Sequence, residues 1–84
     1  MYVEFLGIPR QRAGVSEVVI EADTLGQVLR TLGERFPALR DLIALDRLHP
    51  SIAANLNGDV FIRDPQTRLA ASDHLLILSA DAGG

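Results

Sequence analysis

Eighty-four residues with 48% hydrophobic and 23% charged content have room for one core and no deep cleft, and they are too apolar to stay disordered. The absence of cysteine excludes disulfides, thiolate catalysis and cysteine-ligated zinc. Net charge is −3 and the arginines are scattered, so no nucleic-acid footprint is expected. No apolar run approaches the roughly 18 residues that span a membrane. No basic region precedes an apolar stretch at Met1-Tyr2-Val3-Glu4-Phe5, so a cytoplasmic location is the expectation.

Residues 2–8 and 16–22 alternate in the manner of half-buried strands. Val3 and Phe5 share one face of the first and Tyr2, Glu4 and Leu6 the other; Val18, Ile20 and Ala22 oppose Glu17, Val19 and Glu21 in the second. Pro9-Arg10-Gln11-Arg12-Ala13-Gly14, polar and punctuated by Pro and Gly, reads as the loop of a hairpin between them. Thr24 is an N-cap, and Leu25, Val28, Leu29, Leu32 and Phe36 follow at helical spacing on one stripe until Pro37 stops the helix. A second, shorter helical segment is expected from about Ala38 to Leu45, with Leu39, Leu42 and Ile43 inward. Ser51 to Leu56 alternates again, and Asn57-Gly58 then turns the chain into Val60-Phe61-Ile62. After an irregular passage with Leu69 tucked in, residues 74–79 read as the last strand, whose unbroken apolar run Leu75-Leu76-Ile77-Leu78 suits a central strand covered on at least part of both faces.

The order strand, strand, helix, strand, short strand, strand packs as one mixed sheet of about five strands wrapped on the main helix. The first and last strands lie parallel in the middle, because everything between them serves as the crossover that parallel neighbours need. The expected fold is therefore α+β, a β-grasp (ubiquitin-like) domain over residues 1–84 with one main helix and a short second one. Its last six residues, 79–84, form a tail that ends on Gly83-Gly84. Without side chains, that pair can enter a cleft that any Cβ would block.

His49 and His74 are isolated in sequence and read as structural, with no metal-ligand spacing. Asp23 and Asp73 read as capping and turn residues, and Gly7, Gly14 and Gly26 are too dispersed for a phosphate loop. No catalytic residue and no bound cofactor are expected. The docking surface expected from the strand phase is the sheet face left uncovered by the helix, with Leu6, Leu76 and Leu78 as its apolar residues and Tyr2 and Val19 beside them.

Taken together, these segments resemble the sulfur-carrier family of the ubiquitin-like superfamily. Its members include the small subunit of molybdopterin synthase and the sulfur carrier of thiazole biosynthesis. The resemblance rests on Val3-Glu4-Phe5-Leu6-Gly7, on Ala22-Asp23-Thr24-Leu25-Gly26-Gln27-Val28-Leu29, on Arg35-Phe36-Pro37-Ala38-Leu39, on Ala54-Asn55-Leu56-Asn57-Gly58, on Leu69 with Asp73, and on Ala82-Gly83-Gly84. It implies a protein cosubstrate whose Gly84 is adenylated by an E1-like enzyme at the expense of ATP. A sulfur-donating protein then makes the thiocarboxylate, Gly83 gives access, and a molybdopterin synthase large subunit is a further implied partner. The alternative is a ubiquitin-like modifier or a β-grasp module that is never activated. For a carrier, the sulfur acceptor is a pterin, a thiazole precursor, an amino-acid precursor or a tRNA base. Length and a second helix are more similar to the molybdopterin branch. Two departures stand out: Ser72-Asp73 where the family has Gly-Asp, and Ala80-Asp81 where many members have prolines.

Overall fold

The computed structural model describes residues 1–44 and 46–81. β1 (Tyr2–Phe5) buries Val3 and Phe5 completely. The segment after it is a helix, α1 (Ile8–Ala13), and not the loop expected between Pro9 and Gly14. Pro9 stands in its first turn, where a missing N–H goes unnoticed, and Gly14 closes it in the left-handed region at φ 77° with its N–H on the Arg10 carbonyl. The Pro and Gly that suggest a loop are thus the start and stop of one short helix. The chain returns as β2 (Glu17–Val19), antiparallel to β1.

α2 (Leu25–Arg35) begins at a reciprocal cap. Thr24 Oγ1 accepts the Gln27 N–H at 3.3 Å, and Gln27 Oε1 accepts the Asp23 N–H at 2.8 Å. Leu25, Val28, Leu29 and Leu32 have no exposed surface. Phe36 ends the helix through its N–H on the Leu32 carbonyl, and its ring meets Phe5 edge-on with centroids 5.8 Å apart.

The short helix expected over Ala38 to Leu45 is replaced by a 3₁₀ turn, Pro37–Leu39, and a small hairpin of β3 (Ile43–Ala44) and β4 (Arg47–Leu48); Leu45 lies outside the described residues. The turn closes by three-residue bonds, Arg40 N–H to the Pro37 carbonyl and Leu42 N–H to that of Leu39, a geometry that seldom propagates. Leu39, Leu42 and Ile43 are nonetheless all buried, because the apolar pattern fixes which side chains face the core even where the backbone form differs.

β5 (Ile52–Leu56) and β6 (Val60–Ile62) form the hairpin announced by Asn57-Gly58. Both turn residues take positive φ, 59° and 69°, and Asp59 N–H reaches the Leu56 carbonyl at 3.0 Å. β7 (His74–Ser79) lies between β1 and β5, giving the order β2-β1-β7-β5-β6. β1 and β7 are parallel, in register from Tyr2 opposite His74 to Phe5 opposite Ile77. One face of this five-stranded sheet packs on α2 and the other is open.

Candidate functional site

The chain leaves the sheet at the end of β7, and Ser79 and Ala80, expected as the start of the tail, are instead held in the fold on both sides. Ser79 Oγ accepts the N–H of Ile8 at 2.9 Å, and the N–H of Ala80 donates to the Ser51 carbonyl at 2.7 Å. The second bond gives meaning to one departure from the family pattern: a proline at position 80 has no N–H to donate. Gly83 and Gly84, the expected site of activation, lie outside the described residues.

Beside this exit spreads the open sheet face. Ladder register places Glu17, Glu4, Leu76, Asn55 and Phe61 in one row across five strands, with Val19, Tyr2 and His74 in the row on one side. Leu6 is 37% exposed and Leu76 half-buried, so both offer apolar surface here. Leu78, expected to dock with them, corrects that reading. At 5% exposure, on the central strand opposite Ala53, it presents almost no surface. The apolar area comes instead from Val19 and from Phe61, 57% exposed. The hairpin register opposite Asn55 is the signal that places Phe61 on this face.

Two glutamates, Glu4 and Glu17, stand directly opposite each other on β1 and β2, an arrangement that like charges disfavour. Glu4 Oε1 is 3.0 Å from His74 Nε2, and Tyr2 meets the His74 ring edge-on with centroids 4.6 Å apart. Asn55 Oδ1 in the same row is buried with no hydrogen-bond partner among the described residues. The face therefore combines apolar surface, acidic charge and an acceptor left open.

At the entry to β7, Asp73 accepts from Ala70 N–H at 2.7 Å and from Asn57 Nδ2 at 3.0 Å, while Asn57 Oδ1 accepts the His74 N–H at 2.8 Å. The Ala70 hydrogen bond, seconded by that of Asn57, holds the Asp73 carboxyl below the usual carboxylate range. His49 Nδ1 is 2.8 Å from Ser51 Oγ and accepts the Ser51 N–H at 3.0 Å. Neither histidine belongs to a metal cluster: among the described residues no group of three or more His, Cys, Asp or Glu could hold an ion. No helix among them is long and apolar enough to cross a membrane.

No curated protein matches the chain by sequence. Among solved structures, small archaeal modifier protein 1 (SAMP1) of Haloferax volcanii superposes with TM-score 0.74 at 25% identity, covering 99% of this chain and 97% of that one. SAMP1 of Methanosarcina acetivorans gives 0.77 at 25% identity, with 99% and 94% covered. A chain of the BexX/CysO complex of Amycolatopsis orientalis gives 0.79 at 24% identity, with 99% and 98% covered, a likeness of fold. The ThiS family matches residues 3–84, nearly the whole chain, and the protein belongs to that family of β-grasp, ubiquitin-like sulfur carriers.

Proposed function

We propose that the protein carries sulfur as a thiocarboxylate on Gly84, made by an E1-like adenylating enzyme that uses ATP and by a sulfur-donating protein. The observation that carries this reading is the family match, which runs through residue 84 and so includes Gly83-Gly84. A free carboxylate is a poor electrophile, because its charge repels nucleophiles and oxide is a poor leaving group. Attack of a carboxylate oxygen on the α-phosphorus of ATP expels pyrophosphate and leaves an acyl adenylate. A partner's persulfide then attacks the acyl carbon and expels AMP, and a partner thiol cleaves the resulting S–S bond to free the thiocarboxylate. In that chemistry the chain is a cosubstrate and needs no catalytic side chain of its own. Docking falls to the open face around Leu6 and Leu76. For the sulfur acceptor we propose the pterin precursor of the molybdenum cofactor, supported by the chain's length; the synthase large subunit is then the partner that receives the tail.

A second reading, attachment of Gly84 to protein amines, is favoured by the likeness to two small archaeal modifier proteins. Intact mass of the protein from its native host separates the two: one oxygen exchanged for sulfur marks the carrier, and covalent adducts mark the modifier. Adenylation itself is tested by ATP–pyrophosphate exchange. Deleting Gly84 draws the carboxylate back by up to about 3.5 Å, as large as the near-attack distance of roughly 3 to 3.5 Å. Exchange should fall by orders of magnitude while the melting curve stays in place. Gly83→Val keeps the reach but adds a branched side chain, and should fail in the same way. Normal exchange by the Gly84 deletion would overturn the mechanism.

A further inference from the structure

The two bonds at the end of β7 do not stand alone; each support is itself braced. On one side Gly7 sits at φ 68°, ψ −136°, a conformation that side chains rarely adopt. A Cβ placed there would stand 2.5 Å from Ser79 Oγ, inside any real contact. The Ile8 N–H opens α1 and has no acceptor within that helix, so the Ser79 hydroxyl, 71 residues away in sequence, is its partner. On the other side, the Ser51 carbonyl that receives Ala80 belongs to a loop fixed by Arg63. The Arg63 guanidinium donates to the carbonyls of Ile52 at 2.8 Å, Leu48 at 3.1 Å and His49 at 3.2 Å.

We propose that Ser79 is a positioning residue for the C-terminal acyl group: its hydroxyl, seated against Gly7, fixes the direction in which the chain leaves β7. This rests on the sulfur-carrier reading. Beyond Ala80 four residues remain, with a reach of about 13 to 14 Å. An angular error at the root of such an arm shifts the region in which the residues beyond it can deliver the carboxylate. A root held in advance leaves fewer orientations to be lost when the tail enters a cleft, which is preorganisation in its usual sense. Docking belongs to the sheet face and reach to the arm, so the latch acts on the catalytic rate after binding.

The test compares Ser79→Ala, Ser79→Thr and the unaltered protein in ATP–pyrophosphate exchange with the adenylating enzyme, beside amide hydrogen exchange of the isolated carrier. Ser79→Ala should lower kcat by about five- to thirtyfold, the factor that accompanies ordering one backbone residue. Its KM for the enzyme and its melting temperature should stay close to those of the unaltered protein. Ser79→Thr, which keeps the hydroxyl, should hold kcat near the unaltered value. In hydrogen exchange the Ile8 amide should be protected in the unaltered protein and lose that protection in Ser79→Ala. A kcat unchanged by Ser79→Ala, a Thr variant as slow as the Ala variant, or an Ile8 amide equally fast in all three overturns the proposal. No pyrophosphate exchange with the unaltered protein overturns the carrier reading instead, and the Ile8 amide then decides the latch by itself.

Discussion

Leu29 sits on the buried stripe of α2 with no exposed surface, so truncation removes its transfer energy and leaves a cavity. Leu29→Ala should cost about 2 to 5 kcal/mol, a large share of a small domain's stability, read as an early denaturant midpoint. Asp73 gives a prediction in pH. Its carboxyl is held below the usual 3.8, so its hydrogen bonds contribute fully above that value and are lost as pH falls through the lower folded one. Melting temperature should therefore drop with acidification below 3.8 more steeply in the wild type than in Asp73→Asn. Both residues were legible in sequence, one from helical spacing and the other from its place before an apolar run. Ser79 and Gly7 were not, because nothing in a linear pattern brings together residues so far apart. Their pairing exists only once β7 lies beside β1.

Among the elements, α2, the β5–β6 hairpin and β7 follow directly from the sequence, since each carries a full periodic pattern and a strong terminal signal. The short pieces do not. The six residues of α1 are too few for periodicity to outweigh a Pro and a Gly, and those punctuators serve a helix as well as a turn. The stretch after Pro37 follows the pattern of its buried leucines, but Ile43, β-branched, pairs across to Leu48 rather than extending a helix. The open sheet face is an element-scale object too, and its strand phase is testable. Leu6→Asp and Leu76→Asp should each weaken binding to the adenylating partner, measured by titration calorimetry, with the melting temperature nearly kept. Loss of folding would show that the phase is wrong. Leu78→Asp belongs to the opposite class: it buries a charge and should unfold the protein.

At the scale of the whole molecule, the sheet is knit around β7, which pairs with β1 on one side and β5 on the other. That arrangement was readable in the strand order, because parallel neighbours need a long crossover and everything between the first and last strands supplies it. What could not be read was how the faces fill: Leu78 alternates outward, yet only 5% of its surface is exposed. The same arrangement has a mechanical side. β1 and β7 run in the same direction with Tyr2 beside His74 and Phe5 beside Ile77. A pull between the start of β1 and the far end of β7 slides one strand lengthwise past the other and loads every bond between them at the same moment. An antiparallel pair tugged at its free ends would instead part like a zipper, one bond after another. A force arriving through the tail against the start of β1 therefore meets the whole ladder between them as a row of rivets in shear.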